Sequence, residues 1–270
     1  MKFYGLIGEK LSHSLSPKIH NTLLKDFKID GAYMFFEVEK ESLGKLIESI
    51  KLLKIKGVNV TISYKEDVMK YLDFISNEAK KIGAVNTIYL KDNKLYGYNT
   101  DYYGFGTILN NNEVVIKDNI AMVVGNGGAA KAVITYLLDH DIKKIYLVSR
   151  KIKGNSADKD ERIEFKTYEE ISEIKGDILI NTTPLGMYHK VDYTPVIEDI
   201  INNFNSLINI IYNHKEIKFI EIGKTLNKKA RYGIEMLVGQ VIKAEEIWQR
   251  YKLDNELTQG LYSIFENEFK

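Results

Sequence analysis

Apolar positions in the first hundred residues recur with two periods. Phe3 to Gly8, Tyr33 to Val38 and Gly57 to Ile62 are short apolar runs that predict strands. Pro17 to Phe27 predicts a helix between the first two. Leu43, Leu46, Ile47, Ile50 and Leu53 recur at helical spacing across Ser42 to Lys54, an amphipathic helix. Val85 to Leu90 and Lys94 to Tyr98 read as strands flanking Asp92-Asn93, a pair suited to a hairpin turn. This β-α-β alternation implies a mainly parallel sheet with helices on its faces.

A second, separate sheet begins at Ile120 to Val124, five apolar residues of the kind buried on both faces of a parallel sheet. Gly125, Gly127 and Ala130 follow as GxGxxA, and Ala130, Val133, Ile134, Leu137 and Leu138 continue at helical spacing. Further strands are expected near Ile142, Arg162, Asp177 and Leu207, with helices over Ile234 to Tyr251 and Glu256 to Phe269. The fold class is α/β in two domains. Residues 1–101 plus 234–270 form a substrate domain to which the C-terminal helices return, and 102–233 form a Rossmann-type nucleotide domain. A helix from Tyr102 to Leu109 crosses between them.

Strand, glycine turn and helix in that order have a chemical use. The first glycine permits the sharp turn, the second lets the backbone approach a pyrophosphate, and the small third residue lets helix and strand pack closely. Free N–H groups at the helix start face the anion. About twenty residues further on, an NAD site offers a carboxylate to the ribose. Here the strand ends in Ser149, Arg150 and Lys151. Cations suit a 2′-phosphate, which Arg can bind bidentately, so NADP is the expected cofactor.

Composition narrows the function classes. Lys plus Arg is 38 and Asp plus Glu is 37, so no overall basic field recruits nucleic acid or membrane. No apolar stretch approaches the roughly eighteen residues of a membrane span, and the apolar start before Glu9 is too short for a signal peptide. There is no cysteine, and the five His lack metal-binding spacing, so no metal is expected. A cytoplasmic enzyme with a small-molecule partner, as monomer or homodimer, is the simplest reading.

Small polar residues cluster where strands end. Ser12, Ser14 and Ser16 surround His13 ahead of Pro17; capping accounts for Ser16 before Pro17, but not for the cluster. Asn59 and Thr61 alternate with Val58, Val60 and Ile62 and so point to one side of the third strand, and Lys65 is expected at the start of the next helix. GAVNT ends in Asn86 and Thr87, and GYNTD in Asn99, Thr100 and Asp101. Taken alone, Lys65 reads as a solvated helix lysine and Asp101 as an N-cap for a helix from Tyr102.

With HSLSPKIHN at 13–21, GVNVT and Lys65, GAVNT at 83–87, GYNTDYYG at 97–104, GNGGAA, NTTPLGM at 181–187 and GIEMLVGQ at 233–240, the chain resembles the shikimate dehydrogenase family nearly end to end. The resemblance implies NADPH-dependent reduction of 3-dehydroshikimate to shikimate on the route to chorismate and aromatic amino acids. It implies that Ser14, Ser16 and Tyr212 hold the substrate carboxylate and that Asn59, Thr61, Asn86, Asp101 and Gln240 hold its hydroxyls. It further implies that Lys65 and Asp101 form the catalytic pair. The cofactor is expected to meet Gly125, Asn126, Gly127, Gly128, Ala129, Ala130, Ser149, Arg150, Lys151, Thr182, Met187 and Gly233.

Four departures stand out: Ser63 where proline is common, Ser149 and Lys151 for the usual Asn and Thr, Asn209 for an aspartate, and no Thr-Pro at 216–219. Two other functions are open: a quinate/shikimate dehydrogenase using NAD, which would share most of these motifs, and a ligand sensor that keeps the fold and binds without turnover. The lack of a downstream acid at Arg150 argues against the first. Retention of both Lys65 and Asp101 argues against the second.

Overall fold

β1 (Lys2–Gly8) and β2 (Gly31–Glu37) pair in parallel from Lys2↔Gly31 to Gly8↔Glu37, with α1 (Ser16–Asp26) between them in sequence. Pro17 sits in the first turn of α1, where a missing N–H leaves no bond unmade. The computed structural model describes residues 1–12, 14–61, 64–150, 160–185, 193–210, 218–254, 260–262 and 264–265. Lys151, Met187 and Tyr212 lie outside them, as does most of the helix expected over Glu256 to Phe269, whose described residues are helical.

α2 (Leu43–Leu52) is shorter than its apolar pattern. A 3-10 turn, Lys40–Ser42, precedes it, and Lys54 at φ 54° ends it as Ile55 N–H returns to Ile50 O. β3 (Gly57–Val60), β4 (Phe74–Ile75), α3 (Asn77–Ile82), β5 (Thr87–Lys91) and β6 (Lys94–Tyr98) complete a six-stranded sheet in the order β2-β1-β3-β5-β6-β4. Its β2-β1-β3 half is parallel, and β3-β5-β6 is antiparallel. Asp92 and Asn93, at φ 49° and 58°, make the expected hairpin turn with both central residues left-handed.

Three local expectations need correction. Lys65 stands in a turn, Tyr64 to Glu66, ahead of a 3-10 stretch at Asp67–Tyr71, not at the start of an α-helix. The buried Tyr64 donates its hydroxyl to Val38 O at 2.7 Å, and Val85 N–H binds Lys65 O at 2.8 Å, which fixes the turn against the segment ahead of β5. α4 (Thr100–Asn111) starts one residue before Asp101, so Asp101 lies inside its first turn and not at the N-cap position. Ser16 likewise caps nothing through its side chain, because α1 begins at Ser16 itself.

The second sheet contains β7 (Ile120–Val124), β8 (Lys144–Val148), β9 (Ile163–Lys166), β10 (Gly176–Asn181), β11 (Phe204–Asn209) and β12 (Lys229–Tyr232), every pairing parallel. Their order, β12-β11-β10-β7-β8-β9, is 3-2-1-4-5-6 counted from β7 and read from the β9 edge, the doubly wound order of dinucleotide-binding folds. α5 (Gly128–Asp139), α6 (Glu198–Asn202) and α7 (Lys218–Thr225) belong with it, and α8 (Ile234–Gln249) follows β12. The chain divides into Met1–Tyr103 with Val238–Leu261, and Gly104–Leu237 with Tyr262–Lys270, so α4 and α8 each run from one unit into the other. Among the described residues no helix is long and apolar enough to cross a membrane.

In the first unit Trp248 of α8 lies over β3 and β5, its indole N–H on Ile88 O at 3.0 Å. Gly57 makes room for it: a Cβ there would stand 2.2 Å from the indole nitrogen. Tyr4 stacks on Trp248, and Tyr33 stacks on His20 at 4.1 Å. Burial pushes the phenols of Tyr4 and Tyr33 well above their ordinary 10.0, and in the second unit it pushes Tyr262 up to about 12. Above pH 10.0 an unfolded chain therefore sheds protons that the native one keeps, so this contribution to stability is intact below pH 10.0 and lost as pH rises toward the native values. The urea midpoint should hold steady up to pH 10.0 and fall beyond it; an unchanged midpoint one unit higher contradicts this.

Candidate functional site

Lys65 and Asp101 meet in the first unit. Nζ donates to Asp101 Oδ2 at 2.6 Å, and the side chains are 18% and 9% exposed, so the pair is largely removed from solvent while the ammonium keeps one open side. The turn at Tyr64 carries the lysine, and the first turn of α4 carries the aspartate.

Asn86, 4% exposed, organises the ground beside them. Its Oδ1 accepts from Thr100 N–H at 2.7 Å, Thr100 Oγ1 at 3.2 Å and Thr87 Oγ1 at 3.0 Å, which ties the start of α4 to the start of β5. With that oxygen saturated, the amide has its NH2 to offer a ligand. Asn59 Nδ2 donates to Thr87 Oγ1 at 3.0 Å, and its Oδ1 accepts from Tyr33 Oη at 2.8 Å. Thr61 continues from β3, its N–H on Ile7 O. Ser14 Oγ donates to Ser16 Oγ at 3.1 Å, and Ser16 also hydrogen-bonds Tyr33. Gln240, half-buried on α8, belongs to the same unit.

In the second unit a cavity of about 970 Å³ opens at the C-terminal ends of β7, β8 and β10, and part of the predicted cofactor set lines it. Gly125, Asn126, Gly127, Ser149, Arg150 and Thr182 line it. Gly125 adopts φ +109°, and a Cβ there would lie 2.5 Å from Thr182 Oγ1, which itself donates to Val124 O at 2.8 Å. A side chain at this position is excluded by both conformation and space. Gly127 is the N-cap of α5, and around it and Gly128 a Cβ would meet nothing within 4 Å. That is open ground facing the unbonded N–H groups of a helix start. Ala130 is wholly buried, the small residue where α5 meets the sheet, and Gly233 O accepts from Leu237 N–H to begin α8. Neither of these two lines the cavity, nor do Gly128 and Ala129.

The NTTP segment is built by Asn181. Its Oδ1 accepts from Thr183 N–H and Oγ1, and its Nδ2 donates to Leu185 O and, at 2.7 Å, to Asn209 Oδ1. Asn209 serves there as an acceptor, the role a carboxylate oxygen would also fill, without burying a charge.

Tyr33, Thr87 and Thr100 were not assigned from sequence, although both threonines lie inside quoted motifs. A phenol on the buried face of a strand needs a polar partner, and that was the available signal for Tyr33. Tyr168 and Glu169 also line the cavity. Burial pushes the Tyr168 phenol up and the nearby Arg150 guanidinium draws it partly back. Among the described residues no group of three or more His, Asp or Glu could hold a metal.

The model of the shikimate dehydrogenase substrate binding domain matches residues 6–88. A shikimate dehydrogenase (NADP(+)) of Clostridium beijerinckii is 86% identical over 270 residues, covering 100% of both chains. The crystal structure of shikimate dehydrogenase 1 from Peptoclostridium difficile superposes with a TM-score of 0.91 at 48% identity, covering 100% of this chain and 99% of that one. The Thermus thermophilus shikimate 5-dehydrogenase in complex with NADP(H) and shikimate gives 0.88 at 25% identity, covering 99% of each. Full-length identity at this level, over a chain with both the strand-end polar cluster and the glycine cradle, leaves one conclusion: the chain belongs to the shikimate dehydrogenase family.

Proposed function

We infer that this protein is an NADP-dependent oxidoreductase that interconverts 3-dehydroshikimate and shikimate in the biosynthesis of chorismate and the aromatic amino acids. The observation that carries the reading is the Lys65–Asp101 pair, 2.6 Å apart beside a floor of fixed amides and hydroxyls, in a chain of this family. NADP fits the second unit: open space at Gly127 and Gly128 admits a pyrophosphate onto the start of α5, and Arg150 stands on the cavity wall for a 2′-phosphate. Bound there, the nucleotide supplies or accepts a hydride. Gly125, Asn126, Ser149 and Thr182 complete the wall around it, and Lys151 and Met187 are assigned to the same ligand by family resemblance.

The protein's own task is proton transfer and placement. As hydride reaches C3 of 3-dehydroshikimate, negative charge grows on the carbonyl oxygen, and Lys65 Nζ stabilises it and gives it a proton, forming the hydroxyl of shikimate. In the reverse direction the neutral amine takes that proton. Asp101 holds Nζ in place and accepts from a neighbouring substrate hydroxyl. Ser14 and Ser16, with Tyr212, take the carboxylate, and Asn59, Thr61, Asn86 and Gln240 take the remaining hydroxyls.

The test is NADP⁺ reduction followed by absorbance with shikimate, beside quinate and beside NAD⁺. Turnover confined to shikimate with NADP⁺ is the expected result. Efficient use of quinate or NAD⁺ moves the assignment to the NAD-linked relative, and binding without turnover moves it to a sensor.

A further inference from the structure

Behind the substrate floor lies a pair that the reaction does not use. His20 on α1 and Glu245 on α8 are 1% and 0% exposed, and His20 Nδ1 meets Glu245 Oε1 at 2.7 Å. Gln249 donates to the second carboxylate oxygen at 3.0 Å and, through the same nitrogen, to Tyr4 Oη at 2.9 Å. Removing two ionisable groups from water costs several kcal/mol per ion before their attraction offsets it, and apolar replacements of similar volume are often as stable. Stability alone is therefore a poor account of the pair.

Its placement gives a better one. The His20 ring lies flat on Tyr33, centroids 4.1 Å apart and planes within 5°. Trp248 packs against both rings, its centroid 5.3 Å from His20 and 6.3 Å from Tyr33. Tyr33 carries its hydroxyl to Asn59 Oδ1 at 2.8 Å and reaches Ser16. One phenol thus touches both a residue assigned to the substrate carboxylate and one assigned to its hydroxyls. An asparagine amide has two faces of opposite polarity, and one firm donor on Oδ1 decides which is presented. With Tyr33 on the oxygen, and with the nitrogen on Thr87 Oγ1 at 3.0 Å and more loosely on Asn86 O at 3.4 Å, the Asn59 amide is held in one orientation.

We propose that the buried His20–Glu245 pair is a positioning device for shikimate binding: Glu245 fixes the plane of the His20 ring, the ring fixes Tyr33, and Tyr33 sets the Asn59 amide and the Ser16 hydroxyl. Neither member touches substrate. The device joins α8 to the substrate floor, so a helix more than two hundred residues away in sequence tunes what α1 and β3 present. The inference rests on the dehydrogenase reading, since the ligand presented to Asn59 and Ser16 is taken from it.

The test uses His20→Phe/Glu245→Leu, which keeps an aromatic ring on Tyr33 and leaves no charge buried alone, with Glu245→Gln as the conservative variant whose amide oxygen still accepts from Nδ1–H. In the double variant the KM for shikimate should rise about tenfold, the effect of one displaced hydrogen bond, with kcat and the KM for NADP⁺ near wild type. Glu245→Gln should restore most of the shikimate KM. In a Tyr33→Phe background the double change should add little, because it acts through that hydroxyl. A second readout needs no turnover: exchange of the Asn59 side-chain amide protons, followed by NMR, should quicken in the double variant and not in Glu245→Gln. An unchanged shikimate KM and unchanged amide exchange, even with a lower melting temperature, overturn the proposal, as does full additivity with Tyr33→Phe. If wild-type protein does not oxidise shikimate, the dehydrogenase reading fails, and the amide exchange still decides whether the pair sets Asn59.

Discussion

Lys65→Ala lowers kcat for shikimate oxidation by about 10²- to 10⁴-fold, the range lost with a positioned acid–base group, and leaves the KM for shikimate within a few-fold. The asymmetry follows from geometry. Nζ is held by Asp101 at 2.6 Å on one side and is largely shielded, so the hydroxyl proton is taken up at one fixed point that water cannot replace with the same orientation. The ground-state contacts assigned to Asn59, Asn86, Ser14 and Ser16 do not pass through it: Asn86 is fixed by Thr87 and Thr100, and Asn59 by Thr87 and Tyr33. An interaction that matters only as charge develops on oxygen lowers kcat and kcat/KM together. Steady-state kinetics with saturating NADP⁺ checks it, with a thermal melt as the folding control because Asp101 loses its partner. A kcat within a few-fold of wild type sinks the acid–base role of Lys65.

How far the chain could be read in advance depended on whether each element carries its own pattern. The glycine turn at Gly125, the helix after it and the hairpin at Asp92-Asn93 are local, and each was legible because the backbone needs those residue types there. β12 was not: at the sheet edge it buries only Ala230 fully and presents Lys229, Arg231 and Tyr232, so no apolar run marks it. The start of α4 was misjudged by two residues because its first N–H is satisfied by Asn86, a partner fourteen residues away that no local pattern announces. Lys65 lost its expected α-helix for a related reason, since a long-range bond from Val85 N–H holds its carbonyl in a turn. In the site, residue types at strand ends were readable, but the links between them were not. Tyr33 reads as an ordinary strand aromatic until β2 and β3 flank β1 and bring its hydroxyl to Asn59.

Arg150→Ala should raise the KM for NADP⁺ by about 10- to 100-fold and leave that for NAD⁺ nearly unchanged, because the side chain's role depends on a phosphate that only NADP⁺ carries. A hydrogen bond to a charged group contributes about 1.5–3 kcal/mol, which converts to that range. Arg150 stands just after β8 on the cavity wall, close enough to Tyr168 to pull on its phenol. Two features sharpen the expectation. The pyrophosphate end of the cradle is made by backbone at Gly125, Gly127 and the start of α5, none of which the substitution touches, so binding common to both nucleotides survives. Beside Arg150 stands Ser149, a hydroxyl too weak to replace a guanidinium fork. The ratio of kcat/KM for NADP⁺ over NAD⁺ therefore falls through the NADP⁺ term alone. Raising the ionic strength should shrink the difference between wild type and variant, since an exposed guanidinium acting on a phosphate is screened by salt. If instead both nucleotides weaken equally, Arg150 supports the shape of the cavity, and preference for NADP has another origin in the wall that Tyr168 and Glu169 complete.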